Sequence, residues 1–147
     1  MKRRESITTY NRVAPVEELP ESPELERAVL GALILEPAYL PDVRAILENS
    51  TFHDANNGKI FDVLAAMDDE QAKIDLYTLL QRCRQVDPGI ETAYLAQLTQ
   101  CVGSGVNVLD HARRLKDVEI RRRLCLFGQE LSARAAADPD GVIDWAT

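Results

Sequence analysis

Aromatic residues are scarce in this chain, 5% of 147, and histidine is scarcer still, with two. His53 and His111 have no acidic or cysteine residue at ligand spacing, so the sequence offers neither a metal site nor a nucleophile–base pair. Cysteine is also sparse. Cys83, Cys101 and Cys125 are an odd number at wide spacings, which excludes a disulfide framework and reads as small buried thiols. No stretch alternates with period two, so no sheet is expected. No apolar run approaches the ~20 residues that span a bilayer, and "MKRRESITTYNR" lacks the apolar centre of a signal peptide. A cytoplasmic protein without membrane contact is expected. The only Gly-Lys pair, Gly58-Lys59, is followed by Ile60 and has no glycine five places earlier, so it is no phosphate-binding loop. No active site and no cofactor site can be proposed.

What is present is helical periodicity. Residues 1–19 show none and are expected to form a flexible arm. Ser22 can cap a first helix over about 23–35, with Pro23 at its first position and Glu24 and Glu26 in its first turns. Leu25, Val29, Leu30, Leu33 and Ile34 give its inner face. A short second helix carries Leu40, Val43, Ile46 and Leu47, and a third, about 54–68, carries Ile60, Phe61, Leu64 and Met67. Asp75 can cap a fourth, with Leu76, Leu79, Leu80 and Cys83 inward, and a fifth over about 91–102 buries Tyr94, Leu95, Leu98 and Val102. Acidic residues are otherwise read as solvated polar faces.

Gly31 stands in the middle of the first helix, where glycine costs roughly 1 kcal/mol against alanine. A second backbone passing close by would explain it. On that reading leucine at 31 overpacks the contact, and alanine is mild.

After "GSG" at 103–105, Asn107 can cap a sixth helix with no strong stop before "ADPDG" at 137–141. About 30 residues make a rod of about 45 Å, against a radius of gyration of about 15 Å for a compact domain of this length, so the rod is expected to protrude. Its apolar stripe of Leu109, Ala112, Leu115, Ile120, Leu124, Phe127 and Leu131 then needs a partner helix. "GVIDWAT" looks like the start of a returning arm at 140–147, which makes the chain resemble a piece of a longer protein. The organisation read from sequence is a globular helical domain over 20–106 and a hairpin over 107–147, with a first arm 107–137.

The net charge of −7 argues against a dedicated nucleic-acid-binding domain, yet residues 107–137 carry seven basic and four acidic side chains. Arg121, Arg122 and Arg123 are consecutive and point about 100° apart on a helix, with no aromatic among them. They read as a solvated, partly salt-bridged face.

Taken in order, "LPESPELERAVLGALIL", Phe52 with "KIFDVLAAM", "KIDLYTLL", "AYLAQL" and "GVN" leading into an arginine-bearing helix resemble the N-terminal domain of the DnaB family of replicative DNA helicases. The likeness covers about residues 19–145. The sequence departs from the family pattern at Ala32, where a second glycine is usual, at Lys73, where proline is usual, and in "ANNGK", where histidines are frequent. The resemblance implies an all-α fold, a compact six-helix globular bundle followed by a protruding hairpin whose second arm is cut short. It implies subunits paired hairpin to hairpin within a hexamer, and a collar that binds the C-terminal domain of primase during DNA replication. ATP and Mg, and most DNA contact, would belong to a C-terminal domain that this chain lacks. Residue-by-residue matching places Glu24, Tyr94, Cys125 and Leu131 towards primase. Cys125 and Leu131 equally suit hairpin packing, and Glu24 suits the helix N-terminus. Ile120, Leu124, Phe127 and Leu131 are the expected self-association residues. The alternatives are the helicase-binding domain of primase, a stand-alone helical adaptor or loader, and a phosphotransfer domain using His111. The last wants a glycine after Lys116, where Asp117 stands.

Overall fold

The computed structural model describes residues 18–137. Among these, six α-helices form and no strand does: α1 Pro23–Leu35, α2 Leu40–Arg44, α3 Ala55–Asp69, α4 Leu76–Val86, α5 Thr92–Gln100 and α6 Val108–Ala137. Single 3-10 turns at Pro37–Tyr39 and Asn49–Thr51 flank α2. The arm expected over 1–19 and the second hairpin arm over 140–147 fall largely or wholly outside the described residues.

Local chemistry sets these boundaries. The Ser22 hydroxyl accepts the Leu25 N–H at 3.4 Å and Pro23 opens α1. Asp54 accepts the N–H groups of Asn56 and Asn57 at 2.8 and 3.2 Å. Asp75 and Thr78 form a reciprocal capping box at the start of α4. Each cap satisfies amides that the helix itself leaves without acceptors.

Two compact units are present, Pro20–Arg123 and a second containing Leu124–Ala137. The compact unit therefore ends seventeen residues beyond the 106 expected from sequence. The reason is packing. Val108, Ala112 and Leu115 are at most 1% exposed and belong to the core formed by α1, α3, α4 and α5. This half of the stripe is covered within its own unit and needs no further partner.

α1 is the central helix of that core, with Val29, Leu30 and Leu33 fully buried. At Gly31 it crosses α5 so closely that a Cβ would lie 2.0 Å from the Leu98 carbonyl oxygen and 3.1 Å from Val102 Cγ2. The crossing expected at Gly31 is there, but alanine is not mild. A methyl group meets backbone, which cannot swing aside as a side chain can.

Candidate functional site

Two carboxylates of the Pro20–Arg123 unit are buried and hydrogen-bonded, contrary to the reading of acidic residues as solvated. Glu26, 2% exposed, accepts the backbone N–H groups of His53 and Asp54 and the Asn57 side-chain amide, each at 3.2 Å. It thereby fastens the start of α3 to α1. Asn57 is bonded in turn by the Tyr94 hydroxyl, which donates to its side-chain carbonyl. Burial is the main cause that pushes the Tyr94 phenol above its ordinary range.

A second cluster holds α6. Glu119, 1% exposed, accepts from the Thr51 hydroxyl at 3.2 Å and from Ser50 at 3.4 Å, and pairs with Lys116 at 2.6 Å. Burial pushes its carboxyl up, but Lys116, the Thr51 hydroxyl and Arg123 together hold it below the usual glutamate range. Arg122 is 7% exposed and donates to the carbonyls of Pro20 at 3.1 Å and Thr51 at 2.9 Å. The three consecutive arginines thus have different surroundings. Arg121 and Arg123 are exposed and lie 3.7 and 3.9 Å from Asp117 and Glu119, whereas Arg122 is an interior clamp rather than part of a solvated face.

Other sequence readings are also settled by position. Lys59 pairs with Asp87 at 2.8 Å, so the Gly-Lys pair ties α3 to the turn after α4. His53 does have an acidic neighbour, Glu21, 3.0 Å from its Nε2, brought close by the fold rather than by sequence spacing. Of the cysteines only Cys83 is buried, and burial pushes its thiol up to about 11. Cys101 is exposed and Cys125 half-buried, so the reading of three buried thiols holds for one. Among the described residues no group of histidine, cysteine and acidic side chains could hold a metal ion, and no helix is long and apolar enough to cross a membrane.

The residues matched to a primase-facing surface are divided between the two units. Glu24 is exposed in the first turn of α1, and Tyr94 is half-buried with its hydroxyl engaged by Asn57. Cys125 and Leu131, in the other unit, are partly exposed. The residues named for self-association are divided as well, Ile120 in the Pro20–Arg123 unit and Leu124, Phe127 and Leu131 in the other. Ile120, Leu124 and Phe127 are 45, 63 and 61% exposed, and Leu126 beside them is exposed too. Leu131, at the same helical spacing, is half-buried. Gly128 lies on this stripe, and a Cβ placed there would meet nothing within 4 Å among the described residues.

A family model, the DnaB-like helicase N-terminal domain, matches residues 18–117. The chain belongs to the DnaB-like helicase N-terminal domain family. The replicative DNA helicases DnaB of Rhodothermus marinus and of Treponema pallidum (strain Nichols) are each 34% identical to it, over 71% and 81% of this chain. It spans 12% and 28% of their lengths. Its fold is that of the N-terminal domain of DnaB helicase from Mycobacterium tuberculosis, with a TM-score of 0.79 at 20% identity over 85% of this chain and 89% of that one. It is similar also to the DnaB N-terminal domain from Helicobacter pylori, described together with its interactions with primase, with a TM-score of 0.64 at 25% identity over 78% and 89%. The resemblance read from five motifs in order is thus a family membership, on the helicase side rather than the primase side.

Proposed function

We propose that this DnaB-family domain is a non-catalytic assembly module, pairing with a second copy through α6 and binding the C-terminal domain of primase. The observation that carries the reading is the exposed apolar face of Leu124 and Phe127, on a helix whose Val108, Ala112 and Leu115 are buried in the core. Exposed apolar patches of this kind mark protein interfaces, and a two-fold axis lets one patch cover its own copy. Gly128 supports the pairing. Glycine within a helix costs roughly 1 kcal/mol, and at Gly31 that cost accompanies a close backbone crossing. At Gly128 the chain itself supplies no such neighbour among the described residues, and a partner helix would.

For primase, Leu131 offers an apolar anchor and Tyr94 apolar area, the residue types that interface centres favour. Because the Tyr94 hydroxyl is already bonded, its contribution to a partner is its ring. In a parent helicase, ATP and Mg would be held elsewhere in the chain, as would most of the DNA. The test is titration of the cognate primase C-terminal domain against the wild type and Leu131→Glu, with circular dichroism to verify the fold. The expected result is micromolar or tighter binding, weakened at least tenfold in the folded variant. Unchanged affinity removes Leu131 from the surface, and no binding by the wild type removes the primase role from this chain.

A further inference from the structure

On the Pro20–Arg123 unit, an open groove of about 520 Å³ lies between the first turn of α1 and the outer side of α6, lined by Leu25, Arg113, Arg114, Asp117, Val118 and Arg121. Its floor is apolar: Val118 is buried and Leu25 half-buried. Its rim carries three guanidinium groups against one carboxylate, on a chain whose net charge is −7. Arg114 is paired with Asp110 at 3.0 Å, and Arg121 is loosely paired with Asp117 at 3.7 Å. Arg113 makes no ion pair among the described residues. Spacing of i, i+4 and i+8 sets 113, 117 and 121 along one side of the helix.

We propose that this groove docks an acidic peptide segment of a partner protein that also carries an apolar side chain. A carboxylate of the peptide takes the two-pronged hydrogen bond that the Arg113 fork offers, and Arg121 exchanges its stretched pairing for a closer one. The apolar side chain covers Leu25 and Val118. The charge complementarity selects an anion, and the floor selects among anions. A nucleic acid would find no aromatic ring to stack on, an apolar base to the groove, and the Asp117 carboxylate facing its phosphates. None of the pairing residues Ile120, Leu124 or Phe127 lines the groove, so this inference stands apart from the self-association reading.

Fluorescence anisotropy of the whole chain tests it. The probe is a short fluorescein-labelled peptide in which two leucines sit among aspartates and glutamates. Comparison probes replace the leucines by serine or use labelled oligothymidylate. The proposal expects binding that weakens with salt, falls at least tenfold in Arg113→Glu and in Arg121→Glu, and falls also for the serine peptide. Arg134→Glu, an equal charge change outside the groove, should leave it unaltered. Arg113→Gln serves as the milder variant if circular dichroism shows the reversal to disturb the fold. Equal binding by the folded Arg113 variant, equal binding of the serine peptide, no binding by the wild type at millimolar peptide, or tighter binding of oligothymidylate would each overturn the proposal.

Discussion

The two halves of α6 are built from similar residues and have different surroundings. From Val108 to Arg122 every third or fourth side chain is buried, including the charged Glu119 and Arg122. From Leu124 to Ala137 no residue is buried, although Leu124, Leu126 and Phe127 are as apolar as anything in the core. An apolar stripe therefore does not say by itself what covers it. In the first half Val108, Ala112 and Leu115 join the core cluster, and Glu119 and Arg122 are bonded to Ser50, Thr51 and Pro20. In the second half Leu124, Leu126 and Phe127 stay exposed among the described residues, and a second copy of the same face is the proposed cover.

The largest effect is expected at the crossing of α1 and α5, inside the core that Val108, Ala112 and Leu115 join. Gly31→Ala should cost on the order of 3 kcal/mol, and Gly31→Leu more, because the new group meets the Leu98 carbonyl. The denaturant midpoint measures this, and a loss under about 0.5 kcal/mol for alanine would mean that the helices part easily.

Next is the clamp. Arg122→Met keeps the stem and removes the donors to Pro20 and Thr51, and should cost about 2 kcal/mol. Arg121→Met, which removes only an exposed contact, should cost under about 0.5 kcal/mol. Equal effects of the two would show that burial of Arg122 is incidental.

Acid should weaken the Pro20–Arg123 unit as well. The carboxyls of Glu119, Asp69, Glu70, Asp75 and Asp87 are all held below their ordinary range. For Glu119 the favourable partners outweigh burial. Arg44 acts first on Asp69, Arg82 on Glu70, the Thr78 N–H on Asp75 and Lys59 on Asp87. A carboxyl with a depressed folded-state pKa contributes stability above its unfolded value, near pH 4, and loses it as pH falls through the folded value. Thermal stability should thus be flat above about pH 5 and fall on acidification below about pH 4. Glu119→Gln should be less stable at neutral pH and show a shallower acid limb. An unchanged limb would remove Glu119 from the linkage.

Much of the Pro20–Arg123 unit was legible in the sequence because its signals are local. Ser22 and Asp75 announce their helices by capping chemistry a few residues away, and Gly31 announces a crossing because glycine in a helix needs a reason. The clamps were not legible. Glu26 reads as a favourable first-turn acid and Glu119 falls among the acids read as solvated, while the groups that bury them, at 53–57 and at 50–51, lie 27 or more residues away. Arg122 was hidden by its two exposed neighbours of the same type. The end of the compact unit was misplaced for a related reason. An uninterrupted helix carries no mark at the point where its neighbours stop.

Sedimentation velocity of the chain and of Leu124→Glu with Phe127→Glu, across a concentration series to several hundred micromolar, tests the central claim most directly. Both side chains are exposed, so the double variant should keep the circular dichroism spectrum and denaturant midpoint of the wild type within about 0.5 kcal/mol. The account predicts a concentration-dependent dimer for the wild type and a monomer for the variant. A wild type that stays monomeric throughout, or a variant that dimerises as strongly as the wild type, would contradict it.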